Sequence, residues 1–182
     1  MGEVEEVYGI WTNLNHPYIE VEDTALAVIK FRNGGIGNVI VSNSQKPGIY
    51  VKVHVHGENG ASAGVQTDGG AMFIAGMKGI LEPPVNDLWT IPGEEELAEK
   101  WKMEDVRHFS SIDPMTHYME RQIEDFLFAL DENRDPLVTG EDGRRTVELF
   151  TAIYRSTRDN LPIKLPLYPE NKNDMDGRSG SL

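Results

Sequence analysis

The chain has 182 residues, of which 39% are hydrophobic and 26% are charged, with a formal net charge of −13 and no cysteine. This length suits one well-cored domain, and the acidity argues against nucleic-acid and anionic-membrane partners, since both bind clusters of Lys and Arg. The lack of cysteine excludes disulfides and thiolate sites, and because neither a signal peptide nor an apolar run of about 18 residues is visible, we expect a cytoplasmic protein without a membrane partner.

Residues 4–67 are predicted to form consecutive antiparallel strands. Four segments, 4–14, 22–31, 36–44 and 49–57, are rich in β-branched and aromatic residues, and 61–67 is a shorter fifth strand. Turn residues stand between them, above all Asn33-Gly34, which tolerates the positive φ that a tight hairpin needs. Short turns between successive strands predict antiparallel pairing.

The second half of the chain is predicted to be mainly helical. Residues 68–84 are irregular, 86–91 could add a strand, and 93–107 look helical with Glu94 to Glu96 in the first turn. Asp113 can cap the next helix, with Pro114 at its first position. Thr139 and Asp142 have capping-box spacing for the last helix. The apolar stripes of these two helices are Met119, Ile123, Phe126, Leu127 and Leu130 in the first, and Val147, Phe150, Ile153, Tyr154 and Thr157 in the second.

These elements predict an α+β fold, an open and largely antiparallel or mixed β-sheet with helices packed on one face. Residues 163–165 make a final short strand, and the polar segment 168–182 is expected to be a disordered tail. Some strands carry apolar residues on both faces, as Leu26 and Val28 do opposite Ala27 and Ile29. A sheet face that no helix covers would then expose apolar side chains, which predicts that a partner sheet or domain covers it.

Five segments resemble a known family. They are residues 21–35 (VEDTALAVIKFRNGG), 55–61 (VHGENGA), 122–126 (QIEDF), 135–145 (DPLVTGEDGRR) and 152–156 (AIYRS). In this order and spacing they resemble the C-terminal domain of the glucose-fructose oxidoreductase/inositol dehydrogenase (Gfo/Idh/MocA) family, over residues 1–167. No single segment is a catalytic signature.

The resemblance implies a sugar, polyol or related hydroxy compound as substrate and NAD or NADP as cofactor of a longer parent protein. The family's N-terminal Rossmann domain, its Glu-Lys-Pro motif and its Asp-x-x-x-His motif have no match at the expected places. We therefore expect a domain that forms part of the wall of a substrate pocket and that forms a homodimer through its open sheet face. We expect that the domain alone neither catalyses a reaction nor binds a cofactor. The alternative is a stand-alone ligand-binding or scaffold protein that uses the same sheet face.

Four residues are candidates for substrate binding: Asn43, Gln45, His117 and Tyr118. The amides of Asn43 and Gln45 can both donate and accept, as sugar hydroxyls require, although a polar strand end entering a turn is the simpler explanation. His117 and Tyr118 lie in the first turn of a helix whose start, by the resemblance, is near the substrate pocket. No catalytic, cofactor-binding or metal-ligating residue is assigned.

Four other patterns have simpler explanations. Asp113 and His117 have Asp-x-x-x-His spacing, but they follow the strands, whereas the motif of the family precedes them. A role as helix cap is enough to explain Asp113. Residues 34–37 (GGIG) are a hairpin turn, because a dinucleotide fingerprint needs a helix after it. His54 and His56 share a strand face and could grip a metal, yet no third ligand is visible. Trp11 could stack on a sugar ring, although a strand aromatic is more often core.

Overall fold

The computed structural model describes residues 1–45, 51–67, 84–168 and 170. In chain order its elements are β1 (Val4–Thr12), β2 (Thr24–Phe31), β3 (Ile36–Ser42), β4 (Lys52–His56), β5 (Ser62–Thr67), β6 (Pro84–Trp89), α1 (Leu97–Ser110), α2 (Pro114–Glu132), α3 (Gly140–Asp159) and β7 (Ile163–Lys164). The chain divides into two compact units. The first holds residues 1–44 and 137–182, and the second holds residues 45–136.

The first unit contains a four-stranded antiparallel sheet in the order β3-β2-β1-β7. Its hairpin from β2 to β3 turns at Gly34, whose φ of +89° is one that glycine adopts at little cost. The sheet therefore has strands on both sides of residues 34–37, as expected for a hairpin. The predicted strand ends at Leu14, Glu22 and Ser44 are each two residues too long. Residues 13–23 form a separate loop, and β3 ends at Ser42.

The helix α3 covers one face of this sheet. Its start is the predicted capping box, in which the Thr139 hydroxyl accepts from the Asp142 backbone N–H while the Asp142 carboxylate accepts from the Thr139 N–H. Close approach to β1 depends on Gly9, since a Cβ there would lie 2.7 Å from Cγ2 of Ile153. The buried core between sheet and helix consists of Val7, Ala27, Ile29, Ala152 and Ile153.

Two hydroxyls of α3 complete the hydrogen bonding of β1. Beyond Val7 no strand of the described residues pairs with β1 on the β7 side. The Gly9 N–H donates to Oγ of Ser156 at 3.0 Å, and the Trp11 N–H donates to Oγ1 of Thr157 at 3.2 Å. Backbone groups that would otherwise be buried without partners are thus satisfied by the helix.

The opposite face of the first sheet is apolar and uncovered among the described residues. Ile10, Leu26 and Ile40 are paired across the three strands, and they are 51%, 48% and 53% exposed. Val28 beside them is 59% exposed, whereas Ala27 and Ile29 on the helix side are 5% and 6% exposed. The predicted two-faced apolar pattern of β2 is therefore confirmed, with one face in the core and one outside.

The second unit contains an antiparallel sheet in the order β4-β5-β6, together with α1 and α2. The indole rings of Trp89 and Trp101 meet edge to face at 4.4 Å, which packs α1 against β6. The Asn86 N–H and side-chain amide both donate to the Asp105 carboxylate, at 2.8 and 2.7 Å. The fold is thus α+β with open antiparallel sheets and three helices, and its strands are divided between two sheets.

Two helices differ from their predicted form. Helix α1 begins at Leu97 instead of residue 93, because Gly93 has a φ of +85° and residues 91–97 form consecutive turns. On α2 the apolar stripe is exposed, from 53% at Phe126 to 62% at Leu130, and Ala129 is the buried apolar residue at 3%. Helical periodicity predicts which face is apolar, but it does not state what covers that face.

Three expectations fall wholly or partly outside the described residues. They concern the turn at 45–48 with the start of the next strand, the irregular segment 68–84, and the tail 168–182. Within the described residues β4 starts at Lys52 and β6 starts at Pro84. Among the helices that the structure describes, none combines the length and apolarity that a membrane crossing requires.

Candidate functional site

A cavity of about 410 Å³ opens in the first unit, between α3 and the strand ends where β1 finishes and β2 begins. This volume is in the range typical of small-molecule pockets. Three aromatic side chains line it, those of Trp11, Phe150 and Tyr154. Five polar residues share the lining: Glu22, Asp23, Thr24, Ser42 and Asn43. A surface of aromatic rings with a few polar groups at its edge suits a small polar ligand, one face of which is only weakly polar.

The aromatic part of the cavity is a corner formed by two rings. Trp11 and Tyr154 meet edge to face, with their centroids 5.7 Å apart and an interplanar angle of 73°. The Tyr154 hydroxyl donates to the Glu22 carboxylate. The indole Nε1 of Trp11 is buried without a hydrogen-bond partner among the described residues, which is uncommon for a buried donor. The corner therefore holds a carboxylate in a fixed position beside an aromatic surface.

The polar part of the cavity is formed by the end of β3. The hydroxyls of Thr24 and Ser42 lie 3.1 Å apart across the two strands. The Asn43 backbone N–H donates to the Asp23 carbonyl at 3.0 Å, which fixes the position of this residue. The side-chain amide of Asn43 is exposed and has no hydrogen bond to any described residue. It can therefore both donate to and accept from a ligand hydroxyl.

Asp23 is a buried carboxylate at the wall of this cavity, with only 4% of its surface exposed. Burial on its own would raise its pKa, but hydrogen bonds outweigh that effect and hold the pKa well below the ordinary value. The donors are the backbone N–H groups of Asn15 and Leu14, then His16 and the Thr24 hydroxyl. Asp23 is thus an ionised group that organises the loop of residues 13–23.

His117 and Tyr118 lie in the second unit, in an aromatic cluster where α1 ends and α2 begins. The ring of His117 is 5.6 Å from that of His108 and 5.2 Å from that of Tyr118. The Phe109 ring lies 6.4 Å from that of Tyr118. His117 is half-buried and Tyr118 is 41% exposed, so each residue contacts the cluster and is also partly exposed to solvent.

The Asp-x-x-x-His spacing of Asp113 and His117 is explained by the first turn of α2. The His117 backbone N–H donates to the Asp113 carbonyl at 2.9 Å, which is the ordinary helical hydrogen bond. The Asp113 carboxylate accepts from the Thr116 hydroxyl at 2.8 Å. The pair therefore has a structural explanation that needs no acid–base chemistry.

The four predicted substrate residues are divided between the two units. Asn43 belongs to the first unit and lines its cavity, whereas Gln45, His117 and Tyr118 belong to the second. Gln45 is exposed and is the last described residue before the gap at 46–50. Sequence reasoning did not identify Glu22 and Tyr154. Their contact joins residues 132 positions apart, which no local pattern reveals.

His54 and His56 each contact a different side chain on one face of the second sheet. His54 Nε2 lies 2.9 Å from both oxygens of Asp87, and His56 Nδ1 lies 2.8 Å from Oγ of Ser62. Their ring centroids are 6.1 Å apart. Within the described ranges, no group of three or more histidine, aspartate or glutamate residues could hold a metal ion.

Comparison with known families gives one match. The profile of the oxidoreductase family, C-terminal alpha/beta domain (GFO_IDH_MocA_C), matches residues 1–165. No curated protein sequence matches the chain.

Solved structures with a similar fold include two oxidoreductases. The WlbA dehydrogenase from Bordetella pertussis, solved in complex with NADH and UDP-GlcNAcA, is 25% identical with a TM-score of 0.59. The match covers 92% of this chain and 43% of that one. The aldose-aldose oxidoreductase from Caulobacter crescentus, complexed with glycerol, is 18% identical with a TM-score of 0.53, over 90% of this chain and 42% of that one. The chain thus spans less than half the length of these structures.

Proposed function

Since the chain belongs to the oxidoreductase family through its C-terminal alpha/beta domain, we propose that it is the substrate-pocket and oligomerisation domain of an NAD(P)-dependent oxidoreductase. The substrate class is a sugar, a polyol or a related hydroxy compound. The observation that carries the proposal is the family match over residues 1–165, joined to a ligand-sized cavity that has an aromatic corner and a polar edge.

The cofactor part of the proposal rests on the family and on one relative. The WlbA dehydrogenase, 25% identical, was solved with NADH bound. The match covers 43% of that chain. We place the nicotinamide site outside the present chain, so these 182 residues alone would transfer no hydride. A cytoplasmic location belongs to the same proposal.

The substrate part is supported by the chemistry of the cavity. Sugars and cyclic polyols have a weakly polar ring face and a rim of hydroxyls. The rings of Trp11 and Tyr154 offer the surface for such a face. Asn43, Ser42 and the Glu22 carboxylate offer partners for hydroxyls. Gln45, His117 and Tyr118 remain proposed substrate contacts from the second unit.

The oligomerisation part is supported by the uncovered face of the first sheet. Ile10, Leu26 and Ile40 pair across three adjacent strands, and Val28 lies two residues beyond Leu26 on the same face of β2, so the four make an exposed apolar patch. Patches of this kind on a folded protein mark interaction sites. We propose that a second copy of the chain covers this face, which would give a homodimer. A two-fold interface would bring the same patch of both copies into contact.

A titration of the purified chain with NADH and NADPH, followed by nicotinamide fluorescence, tests where the cofactor site is. We expect no saturable binding up to millimolar concentration. Saturable micromolar binding would contradict the placement of the nicotinamide site outside this chain. Turnover is tested on the protein encoded by the longest continuous reading frame that includes the codons of this chain. NAD(P)-dependent oxidation of a sugar or polyol would support the proposal, and a frame without a nucleotide-binding segment would favour a stand-alone binding protein.

A further inference from the structure

The ionisable groups in the wall of the candidate cavity are all acidic. Glu22 and Asp23 line it, and the described residues of the lining include no lysine, arginine or histidine. The chain as a whole has a formal net charge of −13, so its long-range field has the same sign. The electrostatic potential at the cavity therefore favours a cationic ligand over an anionic one.

The two carboxylates have different roles, because the oxygens of Asp23 are already bound inside the loop. They accept hydrogen bonds from the backbone N–H groups of Leu14 and Asn15 and from the Thr24 hydroxyl. Nδ1 of His16 lies 2.9 Å from Oδ2 as well. Asp23 thus contributes its charge to the cavity wall, while its hydrogen-bonding capacity is used by residues of its own loop.

Glu22 is the carboxylate that retains hydrogen-bonding capacity. It is half-buried, and its Oε2 accepts from the Tyr154 hydroxyl. Within the described parts of the chain, no group donates to Oε1, and no lysine, arginine or histidine forms an ion pair with Glu22. A carboxylate that is partly removed from water is ordinarily paired with a cation, so this one is available to a cationic ligand.

The aromatic rings of the cavity have the same electrostatic preference. Trp11, Phe150 and Tyr154 line it, and the ring centroids of Trp11 and Tyr154 are 5.7 Å apart. The face of an aromatic ring is electron-rich and attracts a cation that lies within about 6 Å of its centroid, most strongly at tryptophan. Aromatic rings beside a carboxylate without a cationic partner are the surroundings that bind an ammonium group, whereas a neutral hydroxyl does not need them.

We propose that the ligand of this cavity is an amino sugar or amino polyol, whose ammonium group binds the Glu22 carboxylate beside the rings of Trp11 and Tyr154. This inference rests on the substrate class proposed above and narrows it by charge. Hydroxyls of the same ligand would bind Asn43 and Ser42, which line the polar part of the cavity.

Binding of this kind discriminates between ligands by charge. A hydrogen bond between an ammonium and a carboxylate is about twice as strong as one between neutral groups. Replacement of the amine by a hydroxyl, or its acetylation, removes the positive charge from the ligand. We expect each of these changes to weaken binding by about tenfold.

Two substitutions separate the charge of Glu22 from its structural contact. In Glu22→Gln the amide oxygen can still accept from the Tyr154 hydroxyl, while the negative charge is removed. Glu20→Gln is the matched control, because it changes the net charge by the same amount at an exposed residue that does not line the cavity. Thermal melting of each variant verifies that the chain remains folded.

The test is calorimetric titration of the full 182-residue chain with D-glucosamine, D-glucose and N-acetyl-D-glucosamine. At a pH of about 6 the amine of glucosamine is protonated. We expect glucosamine to bind about tenfold more tightly than either neutral sugar. Glu22→Gln should remove this preference by weakening glucosamine alone, and Glu20→Gln should bind all three sugars as the wild-type chain does.

Three outcomes would overturn the inference. They are equal affinity of the wild-type chain for glucosamine and glucose, a preference for glucosamine that persists in Glu22→Gln, and binding of none of the three sugars. Equal affinity would leave the proposed sugar class in place, and the oxidoreductase proposal is tested separately by turnover of the longer protein. If Glu22→Gln failed to fold, the preference of the wild-type chain among the three sugars would decide.

Discussion

His54 reaches Asp87 across the middle strand of the second sheet because the residue between them is glycine. Nε2 of His54 lies 2.9 Å from both carboxylate oxygens, although β5 separates the two strands. Gly64 pairs with His54, and a Cβ at Gly64 would stand 2.3 Å from Cδ2 of the imidazole. The ring thus occupies the space that a side chain on the middle strand would fill.

Gly64→Ala should therefore displace the imidazole and break its contact with Asp87. We expect the free energy of unfolding to fall by about 1–3 kcal/mol, from overpacking and the lost hydrogen bond. Urea denaturation measures this change. Gly57→Ala is the matched control in the same hairpin, because its Cβ would meet the Ala61 carbonyl at an ordinary 3.4 Å. Equal stability of the two variants would contradict the explanation.

Gly9→Ala should weaken the packing of α3 on β1. The new Cβ would lie 2.7 Å from Cγ2 and 3.3 Å from Cα of Ile153, so backbone as well as side chain must move. We expect a loss of about 1–3 kcal/mol in unfolding free energy. Gly143→Ala in α3 has nothing within 4 Å and should instead stabilise the helix by about 0.5–1 kcal/mol. Changes of the same sign in both variants would be inconsistent with this packing.

Asp23→Asn should destabilise the chain in a pH-dependent way. The folded-state pKa of Asp23 is lowered, so its contribution is fully present above the unfolded pKa of about 4 and is lost as the pH falls through the folded value. At pH 7 we expect the melting temperature of the variant to be several degrees lower than that of the wild type. The difference should shrink below pH of about 4. Thermal melts across this range measure it, and a difference independent of pH would argue against an ionised Asp23.

Val28→Glu should disrupt the proposed homodimer. A carboxylate on the uncovered sheet face would be desolvated at the interface, so we expect a monomer where the wild-type chain is a dimer. Light scattering at micromolar concentration gives the mass. Met103→Glu is the control, since Met103 is 63% exposed on α1 and belongs to the second unit. A wild-type monomer would refute the dimer itself, and a dimer that tolerates Val28→Glu would place its interface elsewhere.

Asn43→Ala should weaken binding of the sugar or polyol proposed for this cavity by about threefold to tenfold, since one side-chain hydrogen-bonding group at the cavity edge is removed. Asn38→Ala removes the same amide from the opposite, uncovered face of β3 and should leave affinity unchanged. Calorimetric titration compares the two. Equal losses in both variants would mean that the cavity is not the binding site.

Local patterns predicted the elements of the first unit closely. The alternation in β2, the Asn33-Gly34 turn and the Thr139 capping box each depend on residues within a few positions of one another. The sequence also marks the two apolar faces of β2, because side chains on a strand alternate between faces. The ends of the strands and the start of α1 were predicted less well, because the adjoining loops decide where regular backbone hydrogen bonding begins and stops.

Long-range contacts were beyond such patterns. The aromatic corner of Trp11 and Tyr154 depends on where α3 crosses β1, and that crossing depends on the small Gly9. The apolar stripe of α2 was predicted, but its exposure was not, because periodicity does not identify a covering surface. Asn43 was predicted as a ligand contact, whereas its neighbours Glu22 and Tyr154 were found only in the structure.

The sequence by itself determined the family resemblance, the α+β class, the hairpins and the helix caps, because each is encoded by the spacing and type of nearby residues. Only the tertiary structure decided which side chains enclose the cavity and which carboxylate holds the His16 ring. It also decided how His54 reaches Asp87. The physical reason is that these contacts depend on strand register, on the approach of α3 to the sheet and on the space left by two glycines.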